Sequence, residues 1–271
     1  MGKVDPYTTT LNKGNAYWMA KLSDAVYCKC SKKDPSPDNK KILEKLKSED
    51  SHFKSVKGFS KNSSQAALIE HADYLCMAFR GTDEMSDWMD NANIFPENVL
   101  FGDFHRGFWK SVLDVWDGLY SRYDKLRVIK KRPLFLTGHS LGGAMATIAA
   151  AKLIHMDLPF TSVYTFGQPR TMSRDTSRIF NVEAKSRFYR FQNNNDLVTR
   201  VPARAMGYSH VGSYMYISEE KTLHNDPGFW FRFLDYFDGA LNAATKKGID
   251  GIEDHKMKKY LSAVRKWDFK D

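Results

Sequence analysis

The chain has 271 residues and a formal charge of +9, with a pI of about 9.3. That length can bury a sizeable core, and α/β folds of this size are often one domain, so a single domain over residues 1–271 is expected. Mean hydropathy is −0.52 and no apolar run reaches the ~18 residues that span a bilayer, so no transmembrane segment is expected.

Taken in order, Met1-Gly2-Lys3-Val4-Asp5-Pro6 lacks a signal-peptide-like apolar stretch, and Pro6 stands where an N-myristoylation motif needs Ser or Thr. Residues Asn15 to Tyr27 pattern as an amphipathic helix, Ser31 to Asn39 as a Pro-containing charged loop, and Ile42 to Leu46 as the start of a second helix. Phe53 to Phe59 alternates as a strand. Gln65–His71 and Tyr74–Phe79 form a hairpin around Ala72-Asp73, its second arm apolar on both faces as a central strand should be. A long helix is expected over Phe108 to Arg127, with Phe108, Val112, Val115 and Leu119 on one face. Strands follow at Arg132–Thr137, Ser162–Gly167, Arg187–Phe191 and Ser213–Ile217, and helices at Gly143–Ile154, Phe229–Thr245 and Lys256–Val264. Helices alternating with strands imply an α/β fold, a central and mainly parallel sheet with helices on both faces. Chemistry in such sheets gathers at the carboxyl ends of the strands.

Three cysteines make no disulfide framework. Cys76 reads as a small core residue, and Cys28 and Cys30 lack the companions a metal site needs, so neither metal nor cofactor is expected. The thiols and the N-terminal sequence lean toward a reducing compartment. Secretion stays open if a leader has been cleaved, so the compartment is either cytoplasmic or extracellular. The basic charge suits a well-solvated surface first and peripheral contact with an anionic lipid interface second. The lysine-dense stretches 29–57 and 246–270 also carry acidic residues and resemble no nucleic-acid module, so no nucleic-acid partner is expected.

The most informative feature is Gly138-His139-Ser140-Leu141-Gly142, between an apolar strand and a small-residue helix. Strand, sharp turn and helix are what a nucleophile elbow requires, with Ser140 as the nucleophile. A serine hydroxyl needs a base to take its proton, and that base needs a carboxylate to orient it. Asp196 follows a strand in the polar turn Asn193-Asn194-Asn195-Asp196 and suits the acid; Asp175 lies in a polar, Arg-flanked loop and suits it less well. For the base, His105 and His71 precede the serine, His139 points away from it, and His210 comes before the next strand. His224 and His255 remain level on topology alone. Two oxyanion donors are expected, the backbone N–H of Leu141 and a group in the early turn Phe79-Arg80-Gly81-Thr82, with Thr82 favoured.

These motifs together resemble the class 3 lipase family, the fungal-type triacylglycerol lipases and their bacterial and plant relatives. The resemblance rests on Ala78-Phe79-Arg80-Gly81-Thr82, Asp87-Trp88 with Asp90, His105-Arg106-Gly107-Phe108, and the Thr137–Ala144 elbow. It extends through Thr165-Phe166-Gly167-Gln168-Pro169-Arg170, Asn195–Pro202, His210-Val211-Gly212 and Asp254-His255 with Tyr260. The resemblance implies an α/β-hydrolase fold and a triad of Ser140, Asp196 and His255, and so favours His255 over His224. It implies a lipid or small-ester substrate, triacylglycerol first and phospholipid (A1) or monoacylglycerol next. It also implies a lid near residues 83–93, with Met85, Trp88 and Met89 as its apolar candidates in an otherwise acidic segment. A lipase-like binding protein without catalysis is the competing class.

Overall fold

The computed structural model describes residues 2–82, 95–227, 251 and 253–270. The chain opens with α1 (Lys13–Ala25), which starts two residues earlier than the apolar pattern suggests because the Asn12 side chain accepts the Asn15 N–H at 3.1 Å. Helix α2 (Asn39–Lys47) is capped in the same way by Asp38. Strands β1 (Phe53–Lys61), β2 (Ser64–His71) and β3 (Leu75–Phe79) follow, then β4 (Pro96–Val99) and β5 (Gly102–His105). Next come α3 (Arg106–Ile129), β6 (Leu134–His139), α4 (Leu141–His155), β7 (Ser162–Phe166) and β8 (Met172–Ser173). The chain continues through α5 (Arg174–Ala184), β9 (Phe188–Asn193), β10 (Tyr208–Ser209), β11 (Ser213–Ile217) and β12 (Thr222–Asn225). It ends on α6 (Met257–Lys266) and β13 (Asp268–Lys270).

Among the described residues the main sheet runs β1-β2-β3-β6-β7-β9-β11-β12-β13. Its centre, β3 through β11, is parallel, β1 and β2 pair antiparallel with their neighbours, and β12 runs antiparallel to β11 and parallel to β13. Successive residues face opposite layers. In β3, Leu75, Met77 and Phe79 join the core beneath α3 and α4, while Cys76 and Ala78 join the core beneath α1 and α6. Cys76 is fully buried against Met19, a core residue as expected. Helix α4 is apolar on nearly every face and lies buried under that layer.

Several elements depart from the sequence reading, among them β12 and β13, which were not expected. Residues around Asp175 form the helix α5 rather than a loop: Ser173 caps it, Thr176, Ser177, Phe180 and Ala184 turn inward, and Asp175 pairs outward with Arg178 at 3.0 Å. A second sheet, β10-β8-β5-β4, was not expected, since its strands are only two to four residues long and carry no apolar alternation. The helix expected over Phe229–Thr245 lies outside the described residues.

His105 closes β5 and caps α3, its Nδ1 accepting the Phe108 N–H at 3.3 Å while its ring stacks on Phe108 at 3.9 Å. Burial pushes its pKa down to about 4, and burial also holds His139 and His210 well below the ordinary histidine value. The unfolded chain therefore binds more protons than the folded one between about pH 6.5 and 4. Stability should be fully present above pH 6.5 and fall as the pH drops through that window, with His105 alone contributing about 3 kcal/mol. Urea midpoints at pH 7, 5.5 and 4.5 check this, and His105→Asn, which keeps a cap but does not titrate, should flatten the slope.

Candidate active site

Ser140 sits between β6 and α4 at φ 60° and ψ −132°, a conformation that costs a non-glycine residue about 1–3 kcal/mol. Neighbouring backbone holds it there. Its N–H donates to the Phe166 carbonyl at 2.9 Å, and its own carbonyl accepts the Gly143 N–H at 2.8 Å. The crossing admits no side chain at Gly142, where a Cβ would lie 2.2 Å from the Phe79 carbonyl oxygen.

The acid is assembled from three separated segments. Asp196 follows β9 and is fully buried. Its Oδ1 accepts the Val198 N–H at 2.9 Å, and its two oxygens lie 2.9 and 2.8 Å from His255 Nδ1. The Tyr260 hydroxyl, one turn into α6, donates to Oδ2 and itself accepts the Asn193 N–H at 3.0 Å. Burial, then the adjacent Asp196, raises the Tyr260 pKa well above the ordinary phenol value, so this hydroxyl stays a donor. A carboxylate only accepts, so His255 carries its proton on Nδ1 and leaves Nε2 as the basic nitrogen. That Nε2 is buried and makes no hydrogen bond among the described residues.

Asp254, the residue before His255, clamps this segment to the loop after β9. Its carboxylate accepts the Asn194 side-chain amide at 3.1 Å and the Asn195 N–H at 3.3 Å, and pairs with Lys259 at 3.0 Å. Its carbonyl accepts the Asn193 amide at 2.9 Å. Neither the clamp nor its partners emerged from the sequence, although the run of three asparagines was the available signal.

The elbow and the turn after β7 both pack against the Asp196–His255 pair. The His139 and His255 rings lie 4.5 Å apart, and a Cβ built on Gly167, at φ 59°, would fall within 2.9 Å of both His255 and Asp196. On the other side of Ser140 lies the turn Arg80-Gly81-Thr82, where a Cβ on Gly81 would sit 3.0 Å from the Ser140 Cβ. Leu141 is the first residue of α4, so its N–H has no acceptor within the helix and belongs to the positive end of the helix dipole.

The other histidines lie elsewhere. His224 is on β12 opposite Tyr216, two strands beyond β9, and is not brought to Asp196. His210 hydrogen-bonds the Thr199 carbonyl at 2.8 Å. Met85, Trp88 and Met89 lie outside the described residues. The cysteines are free thiols. Asp50, His52 and His71 gather donor atoms within 4.8 Å, but hydrogen bonds account for them. His71 Nδ1 accepts the Asp73 N–H at 3.1 Å, which leaves the proton on Nε2 facing Asp50.

Residues 76–206 match the family described as Lipase (class 3). Over that stretch, which holds Ser140 and Asp196, the chain is similar to the class 3 lipase family. Among class 3 relatives, the secreted mono- and diacylglycerol lipase A of Penicillium cyclopium is 30% identical over 157 residues, covering 55% of this chain and 50% of the relative. The phospholipase A1-II 1 of Oryza sativa subsp. indica is 28% identical over 203 residues, covering 64% and 51%. The chain thus spans about half the length of the curated relatives it matches. The solved mono- and diacylglycerol lipase of Aspergillus oryzae superposes with a TM-score of 0.64 at 22% identity, over 77% of this chain and 80% of that one. The fold is accordingly the α/β-hydrolase fold. Among the described residues no helix is long and apolar enough to cross a membrane.

Two substitutions test the scaffold of the site. Gly142→Ala should cost about 3 kcal/mol and lower Tm by about 6–12 °C, because backbone rather than a flexible side chain meets the added methyl. Asp254→Ala should cost about 2 kcal/mol and lower Tm by about 4–8 °C, with Asp254→Asn losing less. Calorimetry on the purified variants checks both.

Proposed function

We propose that the protein is a serine carboxylic-ester hydrolase acting on lipid esters, with residues 1–271 as one α/β-hydrolase domain. The observation that carries this reading is the buried Asp196–His255 pair packed against the elbow that bears Ser140. Ser140 attacks the ester carbonyl as His255 Nε2 takes its proton. The tetrahedral oxygen is held by the Leu141 N–H and by Thr82 at the turn against Ser140. His255 then returns the proton to the leaving alcohol, and the acyl group stays on Ser140. Water, deprotonated by His255, attacks that acyl-enzyme and releases the fatty acid, restoring Ser140. Asp196 stabilises the imidazolium at both stages, and Tyr260 and Val198 keep Asp196 in place.

Acylglycerols are the first substrate class, supported by the acylglycerol lipases among the relatives. Phospholipid A1 hydrolysis is the second, supported by the rice relative and the +9 charge. The acidic character of residues 83–93 fits weak interfacial sensing and shorter or more polar esters. Contact with a lipid interface is peripheral in this reading. Of the two compartments left open, it favours secretion, as described for the Penicillium relative.

Hydrolysis of p-nitrophenyl esters from C2 to C16, alongside dispersed mono-, di- and triacylglycerols and phosphatidylcholine, tests the proposal. Ser140→Ala should abolish turnover and Asp196→Asn should lower kcat by about 10⁴. His255→Ala should be as severe as the serine variant, while His224→Ala should be near wild type. A fully active Ser140→Ala would end the serine-hydrolase reading, and activity rising steeply only above substrate aggregation would end the weak-sensing one.

A further inference from the structure

A second chain of hydrogen bonds reaches His255 through its backbone carbonyl. The His139 Nε2 lies 2.6 Å from the His255 backbone carbonyl oxygen, and the Tyr27 hydroxyl lies 2.8 Å from His139 Nδ1. We propose that Tyr27 and His139 are positioning residues for the base, Tyr27 fixing the His139 tautomer and His139 fixing the backbone on which the His255 ring pivots. The inference rests on the reading of His255 as the base.

The polarity of the chain follows from chemistry. A carbonyl oxygen only accepts, so His139 Nε2 must carry hydrogen. In a neutral imidazole Nδ1 is then the acceptor, and the Tyr27 O–H must donate to it. Burial, and then the neighbouring His255, favour the neutral ring. His139 is therefore held in one tautomer by a hydroxyl from the segment following α1. His255 faces Asp196 from the acid loop and His139 from the elbow, and the His139 ring also packs on Tyr260 of α6 at 5.9 Å. Asp196 holds one ring nitrogen, and Nε2 must still be aimed at the serine. The carbonyl contact removes the remaining freedom, the tilt of the peptide. A misplacement of about 1 Å at a reacting group can cost about 10² in rate.

The same hydroxyl also touches the other half of the site. A Cβ on Gly81 would fall 2.4 Å from Tyr27 Oη, and the Arg80 guanidinium lies 6.0 Å from the Tyr27 ring while its Nη1 donates to the Pro35 carbonyl at 2.6 Å. Tyr27 is thus packed between the turn that leads to Thr82 and the histidine that holds the base.

The test uses the full chain with Tyr27→Phe, His139→Leu, His139→Gln and the double variant Tyr27→Phe/His139→Leu. Thermal melts give the folded fraction. Turnover of a soluble p-nitrophenyl ester, labelling of Ser140 by a fluorophosphonate, and the His255 Nδ1–H resonance in ¹H–¹⁵N spectra give the site. His139→Leu should lower kcat by about 30–100-fold with KM within twofold, broaden that resonance, and move the acidic limb of kcat/KM to lower pH as the Asp196 contact loosens. His139→Gln, whose amide can still donate to the carbonyl, should recover most of the loss. Tyr27→Phe should lower kcat about five-fold alone and have no further effect on top of His139→Leu.

Additive effects in the double variant, or losses matching the folded fraction with an unmoved pH limb and a sharp Nδ1–H resonance, would overturn the proposal. A wild type that neither hydrolyses esters nor labels would end the hydrolase reading instead. In that case the resonance would still decide the positioning role, broadening in His139→Leu if the proposal holds and staying sharp if it fails.

Discussion

The site depends on one fully buried carboxylate. Burying the carboxylate of Asp196 in a protein interior is expensive unless its oxygens are met by donors, and no single segment of the chain can supply them all. The structure gathers them from the acid loop at Val198, from the base at His255 and from α6 at Tyr260. Satisfying that group therefore forces a loop at the end of β9, the segment 253–256 and the following helix into one arrangement. Asp254 adds a second set of ties between the same segments, joining them to the asparagines that precede Asp196. The geometry that the proposed proton transfer would use is thus a by-product of the geometry needed to bury a charge.

Much of this was legible in the residues. The elbow announces itself because glycines are needed where β6 and α4 cross, and because a buried strand and a buried helix both have unmistakable apolar runs. The apolar run of β3 and the stripe on α3 follow from burial on known faces. The choice between His224 and His255 was not legible from spacing, because both follow the right strand in the chain. The difference is which sheet neighbour each segment meets, and that is set by contacts spanning about 60 residues. Helix α5 was missed because its buried face is made of Thr176, Ser177, Phe180 and Ala184, too polar to stand out as an apolar stripe. The small second sheet was missed because backbone pairing, and not side-chain pattern, holds strands as short as Met172–Ser173.

The family match at residues 76–206 includes Ser140 and Asp196 and stops before His255. Tyr27 and Tyr260 also fall outside it. Yet the superposition with solved relatives extends over about three quarters of the chain. The elbow and the acid loop are bound to local backbone requirements, a strained serine and a tight polar turn. The segment bearing the base has only to present an imidazole and a hydroxyl at the right point, and more than one sequence can do that.

The bonds that complete the site join residues far apart in order of synthesis. Those to Asp196 span 59 and 64 positions, and that between His139 and the His255 carbonyl spans 116. During translation the serine emerges and its elbow can fold long before the imidazole exists. For that interval the nascent chain carries a strained serine with no base beside it. A chain that stops between the elbow and His255 lacks the imidazole proposed as the base, so in this reading chain order alone delays the appearance of a competent nucleophile.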